Sequence, residues 1–277
     1  MTDKTAPVLE LTVDLDATAE QVWQALTDPQ RLQNWFPLKS GGDAKPGGKV
    51  LLSWGEGVEW ETHITRFEPG RHLQWMDVLP DADKPEAILP VVDWYVETSG
   101  GRTRLRLVQS GFDPDSDWQE YYDALRRGWT YFLDMLGTYL EYHFDSSRQM
   151  VYRRARSLVS RRELWTGMLS ALGLGMTAIE GLERVGEAMP LNLSLGEQNL
   201  AAEVRFSEAP HAFAVTLPDL NQASLFIELE PGDDKPSCGV WLSTFDLEDG
   251  KLRQLENNLD QLCQGLIDIG LDSGNQP

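Results

Sequence analysis

Between residues 9 and 15, apolar side chains fall on every second position: Leu9, Leu11, Val13 and Leu15 alternate with Glu10, Thr12 and Asp14. That period puts four apolar groups on one face of a strand. At Thr18 the period changes. Thr18 and Gln21 have the spacing of a capping box, in which each side chain satisfies a backbone N–H of the first helical turn. Val22, Trp23 and Leu26 then continue as one apolar helix face. Asp28-Pro29 restarts the chain, and a second short helix is predicted to run into Trp35-Phe36-Pro37. Further strands are predicted over 49–54, 58–67, 72–78, 91–97 and 103–109, with breaks at Gly55, Glu68-Pro69-Gly70, residues 79–90 and Ser99-Gly100-Gly101. A long helix over 117–143 follows. Its apolar stripe runs through Trp118, Tyr121, Leu125, Trp129, Phe132, Leu136 and Leu140, and acids at its start suit the positive end of the helix dipole.

A shift of 142 residues brings the pattern round again. Thr18 falls on Ser160, Gln21 on Glu163, Val22 on Leu164, Trp23 on Trp165 and Leu26 on Met168. A strand-like stretch over 151–159 precedes this second capping box. Strands are predicted over 200–206, 212–217, 224–230 and 239–245, and a final helix over 250–267 carries Leu252, Leu255, Leu259, Leu262 and Leu266. Short turns between successive strands imply antiparallel pairing, and a long helix after each run of strands implies an α+β fold built twice. The leucine stripe of the last helix needs a cover, so the two halves are expected to pack on each other.

Charge narrows the partners. The chain has a net charge of −20, with 25 acids against 13 bases in residues 1–145 and 19 against 11 in the rest. Both halves repel phosphate backbones, which argues against nucleic acid. The exception is a basic run, Arg148, Arg153, Arg154, Arg156, Arg161 and Arg162, read as a solvated or acid-paired strand face with a docking patch as the alternative. No apolar run is long enough to span a membrane, and residues 1–10 do not read as a signal peptide. Cys238 and Cys263 are the only cysteines, which fits a reducing cytoplasm.

The first half resembles the activator-of-heat-shock-protein-90-ATPase homologue family of the START-like, helix-grip superfamily. The resemblance rests on "ATAEQVWQALTDPQRLQNWFP", "DAKPGGKVLLSW", "WETHITRFEPGRHLQW", "TRLRLVQSGF" and "GWTYFLDMLGTYLEY", which cover nearly all of residues 8–145. It implies a tandem of helix-grip domains, residues 1–146 and a degenerate second copy over 147–277. Each would be a curved antiparallel sheet wrapped on its long C-terminal helix, with a cavity between them in the first. The second copy lacks a counterpart of "NWFP" and of the Gly47-Gly48 pair. The superfamily includes binders, cyclases, hydrolases and co-chaperones, so the resemblance leaves the activity open.

The residues themselves support a cavity. Eight of the ten tryptophans precede residue 146. Alternation puts Trp60, Thr62 and Ile64 on one strand face, Leu73 and Trp75 on one face of the next, then Val92, Trp94 and Val96, and Leu105 and Leu107. Those faces should meet Trp129, Phe132 and Leu136 of the helix. In the fold that the resemblance implies, Trp35 and Phe36 sit beside the cavity mouth as part of a lid. The expected ligand-binding set is therefore Trp35, Phe36, Trp60, Trp75, Trp94, Trp129 and Phe132, holding a small hydrophobic or aromatic ligand. Plain core filling by the same rings, each burying ~150–250 Å², is the alternative. Trp23 and Trp54 read as core.

Signs of chemistry are sparse. His63, His72, His143 and His211 are scattered without metal-ligand spacing, and no metal or cofactor is expected. His72 follows a turn and reads as exposed. His63, Asp93, Tyr95 and Glu97 fall on the strand faces opposite Trp60 and Trp94; with the faces inverted they would become acid–base groups inside the cavity. The glycine-rich stretch 41–50 runs into a strand rather than a helix, so it reads as a hairpin and not a phosphate loop. No catalytic constellation emerges. Non-enzymatic ligand binding leads, a co-chaperone with a chaperone partner is the alternative, and a cyclase- or hydrolase-like enzyme on an aromatic substrate comes third.

Overall fold

The computed structural model describes residues 7–55, 58–77, 90–112, 118–156, 158–175, 189–229 and 236–272. The predicted break at 79–90, apart from Pro90, lies outside them, as do the acids of 113–117 and most of the turn at 231–236. The chain divides into two compact units, Met1–Asp145 and Ser146–Pro277.

The first unit runs β1 (Leu9–Leu15), α1 (Ala19–Thr27), α2 (Pro29–Leu32), β2 (Lys39–Gly42), β3 (Lys49–Ser53), β4 (Glu59–Glu68), β5 (His72–Asp77), β6 (Val91–Ser99), β7 (Arg102–Ser110) and α3 (Trp118–Tyr142). Its strands form one seven-stranded antiparallel sheet in the order β1-β7-β6-β5-β4-β3-β2. Thr18 caps α1 as read, accepting from the Gln21 backbone N–H while the Gln21 side chain accepts from that of Thr18. Alternation turns Leu52, Ile64, Leu73, Trp75, Val92, Trp94, Leu105 and Leu107 inward, each almost fully buried, and α1 and α3 lie against the sheet.

The edge strand β2 is absent from the sequence reading because "KSGG" has no apolar alternation; backbone pairing to β3 alone defines it. The loop from Asp43 to Gly48 connects the two as the expected hairpin. Gly42 has φ +88°, and a Cβ there would meet the Lys49 carbonyl oxygen at 2.2 Å, so the turn requires glycine.

The second unit repeats the plan with β8 (Arg148–Arg156), α4 (Arg161–Ala171), β9 (Met189–Leu195), β10 (Gln198–Glu208), β11 (Ala212–Leu217), β12 (Ala223–Leu229), β13 (Ser237–Phe245) and α5 (Asp249–Asp272). Its six-stranded sheet has the order β8-β13-β12-β11-β10-β9, the same winding as the first. Ser160 and Glu163 form the second capping box. The protein is thus an α+β tandem of helix-grip folds. In the second unit the interior is aliphatic: Leu255, Leu259 and Leu266 of α5 pack with Leu225, Ile227, Val240 and Leu242 of the sheet and with Trp165. The leucine stripe is covered by its own sheet, which removes the reason for expecting the other half to cover it. Of the basic run, Arg153 pairs with Asp260 of α5.

Candidate functional site: a ring-walled cavity

The chain leaves α2 in a tight turn. The Asn34 N–H donates to the Arg31 carbonyl and the Phe36 N–H to that of Leu32, both at 3.0 Å. This turn aims two adjacent rings differently. The Trp35 indole N–H donates to the Ala25 carbonyl at 3.0 Å, anchoring α2 to α1, and Trp35 is fully buried. Phe36 points to the helix-grip interior. It stacks on Trp129 at 4.9 Å and 20°, meets Phe132 edge-on at 4.9 Å, and meets Trp54 edge-on at 5.3 Å. Offset-stacked and edge-to-face pairs at such spacings are the favoured arrangements of aromatic quadrupoles.

Beside this cluster lies a cavity of about 490 Å³. Its wall comprises Phe36, Leu52, Trp54, Trp60, Trp75 and Val92 from the α2 turn and the sheet, with Ala124, Leu125, Gly128, Trp129 and Phe132 from α3. Gly128 lets the helix side of the wall recede. Asp77, Pro90, Gln109 and Tyr121 complete the lining. Tyr121, about half exposed, marks a side where the cavity meets solvent.

Five of the expected ligand-binding residues line this space: Phe36, Trp60, Trp75, Trp129 and Phe132. Trp35 and Trp94 do not. Both are fully buried behind the wall; Trp94 is locked edge-on against Trp75 at 5.2 Å, Trp129 at 5.4 Å and Trp35 at 6.0 Å. Inward direction alone does not reach the cavity where a second layer of rings intervenes. Trp54, read as core, is instead a wall residue: just past the end of β3, it stacks with Trp60 at 6.0 Å.

Sequence reasoning missed the polar groups of the wall. Gln109, on β7, accepts from the Trp129 indole N–H at 2.6 Å, so its carbonyl oxygen is engaged and its NH₂ is left as donor. Asp77 ends β5 on the same strand face as Trp75, opposite Thr62 of β4. Burial pushes the Asp77 carboxyl above the usual carboxylate range, while Thr62 pulls weakly the other way. Burial, and then the charge of Asp77, raise Tyr121. The period-2 rule that placed Trp75 inward also places Asp77 inward, so the signal was present in the sequence.

His72 corrects the expectation of exposure. It is buried on the outer face of the sheet, with Nε2 2.6 Å from Asp93 Oδ1 and its ring stacked on Tyr95 at 4.2 Å. Arg106 lies over the other partner of that stack, 4.1 Å from the Tyr95 centroid. Asp93 and Tyr95 therefore belong to an outer-face network, and the inverted assignment that would bring them into the cavity does not hold. Among the described residues, no group of three His, Cys, Asp or Glu side chains is arranged to hold a metal.

Residues 16–141 match the family described as Activator of Hsp90 ATPase homolog 1-like protein. The first unit is a helix-grip domain of this activator-like kind. Among solved structures, protein MLL2253 from Mesorhizobium loti is 24% identical over 49% of this chain and 97% of its own, with a TM-score of 0.44. The Aha1 dimer from Colwellia psychrerythraea is 19% identical over 50% of this chain and 98% of its own, TM-score 0.44. DynU16, a putative protein in the dynemicin biosynthetic locus, is 17% identical over 95% of this chain and 97% of its own, TM-score 0.42. No curated protein matches. Among the described residues, no helix is long and apolar enough to cross a membrane.

Proposed function

We propose that the activator-like domain binds a small hydrophobic or aromatic ligand in the cavity between its sheet and α3. One observation carries this reading: a cavity of about 490 Å³ whose wall is built mainly from Phe36, Trp54, Trp60, Trp75, Trp129 and Phe132. Ligand sites are typically concave, ~300–1,000 Å³, and apolar with a few placed polar groups. Here Gln109, Asp77 and Tyr121 are those groups. Asp77 and Tyr121 are the titratable groups among the described wall residues, and the reading offered for the site is binding. Both cysteines are free and buried, which suits a reducing compartment such as the cytoplasm.

Titrating the intrinsic tryptophan fluorescence of the full chain against a library of lipids and aromatic compounds tests the proposal. A saturable response that Trp60→Ala weakens supports it; no saturable response to any member overturns it. The description of the matched family favours a second reading, a chaperone as protein partner. Pulldown with a heat-shock-90 chaperone, and that chaperone's ATPase rate with and without this protein, decides it.

A further inference from the structure

We propose that the cavity selects an organic cation: a hydrophobic or aromatic amine whose ammonium sits against Asp77 while its apolar body lies among the rings. This rests on the cavity-binding reading above and adds the ligand's charge.

Three observations converge on it. Asp77 is the one charged side chain among the described lining residues, where burial acts on it, opposed by the Thr62 hydroxyl. Keeping a carboxylate charged in an apolar wall is costly, and a bound ammonium would offset that cost. Next, Trp54, Trp60, Trp75 and Trp129 line the same space. The negative faces of indole rings attract ammonium groups, more strongly when water is excluded. Finally, residues 1–145 carry 25 acids against 13 bases, a field that draws in cations and repels carboxylates and phosphates. Fatty acids and organic phosphates are thereby disfavoured, although the apolar volume alone would accept a fatty acid.

Isothermal titration of the full chain at pH 7.5 with three ligands of matched shape tests this: naphthylmethylamine, naphthylmethanol and naphthoate. The amine is expected to bind at least tenfold more tightly than the alcohol, and the alcohol more tightly than the acid. Asp77→Asn should bring the amine to within about twofold of the alcohol measured on the same variant, and Asp77→Glu should restore part of the preference. Equal binding of amine and alcohol, or a preference that survives in Asp77→Asn, overturns the charge selection but leaves cavity binding intact. If none of the three binds, the charge selection falls, and the library titration above decides cavity binding. Should Asp77→Asn not fold, Asp77→Ser serves in its place under the same criteria.

Discussion

The Trp129 indole N–H donates to Gln109 Oε1 at 2.6 Å, and this bond ties α3 to β7 across the edge of the cavity. Both residues are buried in the cavity wall. Gln109→Leu should leave the indole N–H without an acceptor and lower stability by about 1–3 kcal/mol. Trp129→Phe in that background should cost less than Trp129→Phe alone, because the orphaned donor is gone. Urea unfolding of the two single variants and the double variant closes this cycle; additive losses would show that the bond contributes nothing.

Neighbouring rings should separate into fold and site. Trp94→Ala removes a fully buried ring held edge-on by Trp35, Trp75 and Trp129 and should cost about 3–5 kcal/mol, seen as a lowered unfolding midpoint. Trp60, only partly buried in the cavity wall, should tolerate Trp60→Ala with a much smaller loss, while ligand affinity falls. Unfolding midpoints and fluorescence titrations on the same two variants give the comparison.

Asp77 should make stability depend on pH in the direction opposite to a salt-bridged acid. Its folded-state carboxyl lies above its unfolded value, so the native state holds the proton more tightly. The stabilising contribution is complete below the unfolded value, near 3.8, and is lost as pH rises through the folded one. Asp77→Asn should therefore match the parent at low pH and exceed it in melting temperature at pH 7. Thermal melts across pH 3.5–7.5 read the crossover; curves that stay parallel would refute it.

Burial pushes the Cys263 thiol to about 11, with Arg153 opposing and Asp260 reinforcing the shift. At pH 8 almost none of it is thiolate, the reactive form. Native protein should react with a disulfide reagent far more slowly than the urea-unfolded chain, and both cysteines should appear only on unfolding.

Periodicity carried most of the architecture. The alternation at Leu9–Leu15 and the two capping boxes are local signals, and local signals survive folding unchanged. The strand predicted over 212–217 matches β11, most others shift by one or two residues, and the stretch predicted over 151–159 lies three residues earlier as β8. Two strands went unread. β2 has no side-chain pattern at all, and β9 alternates Leu191, Leu193 and Leu195 but carries Pro190 as its second residue. At the site, face assignment turned both Trp75 and Trp94 inward as the structure has them, but only Trp75 lines the cavity, because depth behind a wall is a tertiary property. His72 reads as polar after a turn, yet Tyr95 and Asp93 arrive from the next strand to cover it. Asp77 was legible by the same alternation as Trp75.

The interlocked rings around Phe36 also have an optical consequence. Trp35, Trp75, Trp94 and Trp129 form a chain of indole contacts with centroids 5.2 to 6.0 Å apart, close enough for their excited states to couple. Absorbed light should then be shared across the group, so a molecule touching Trp75 should quench emission from indoles it never meets, and the coupled circular-dichroism signal should change, without disappearing, when α3 carries Trp129 away from the sheet.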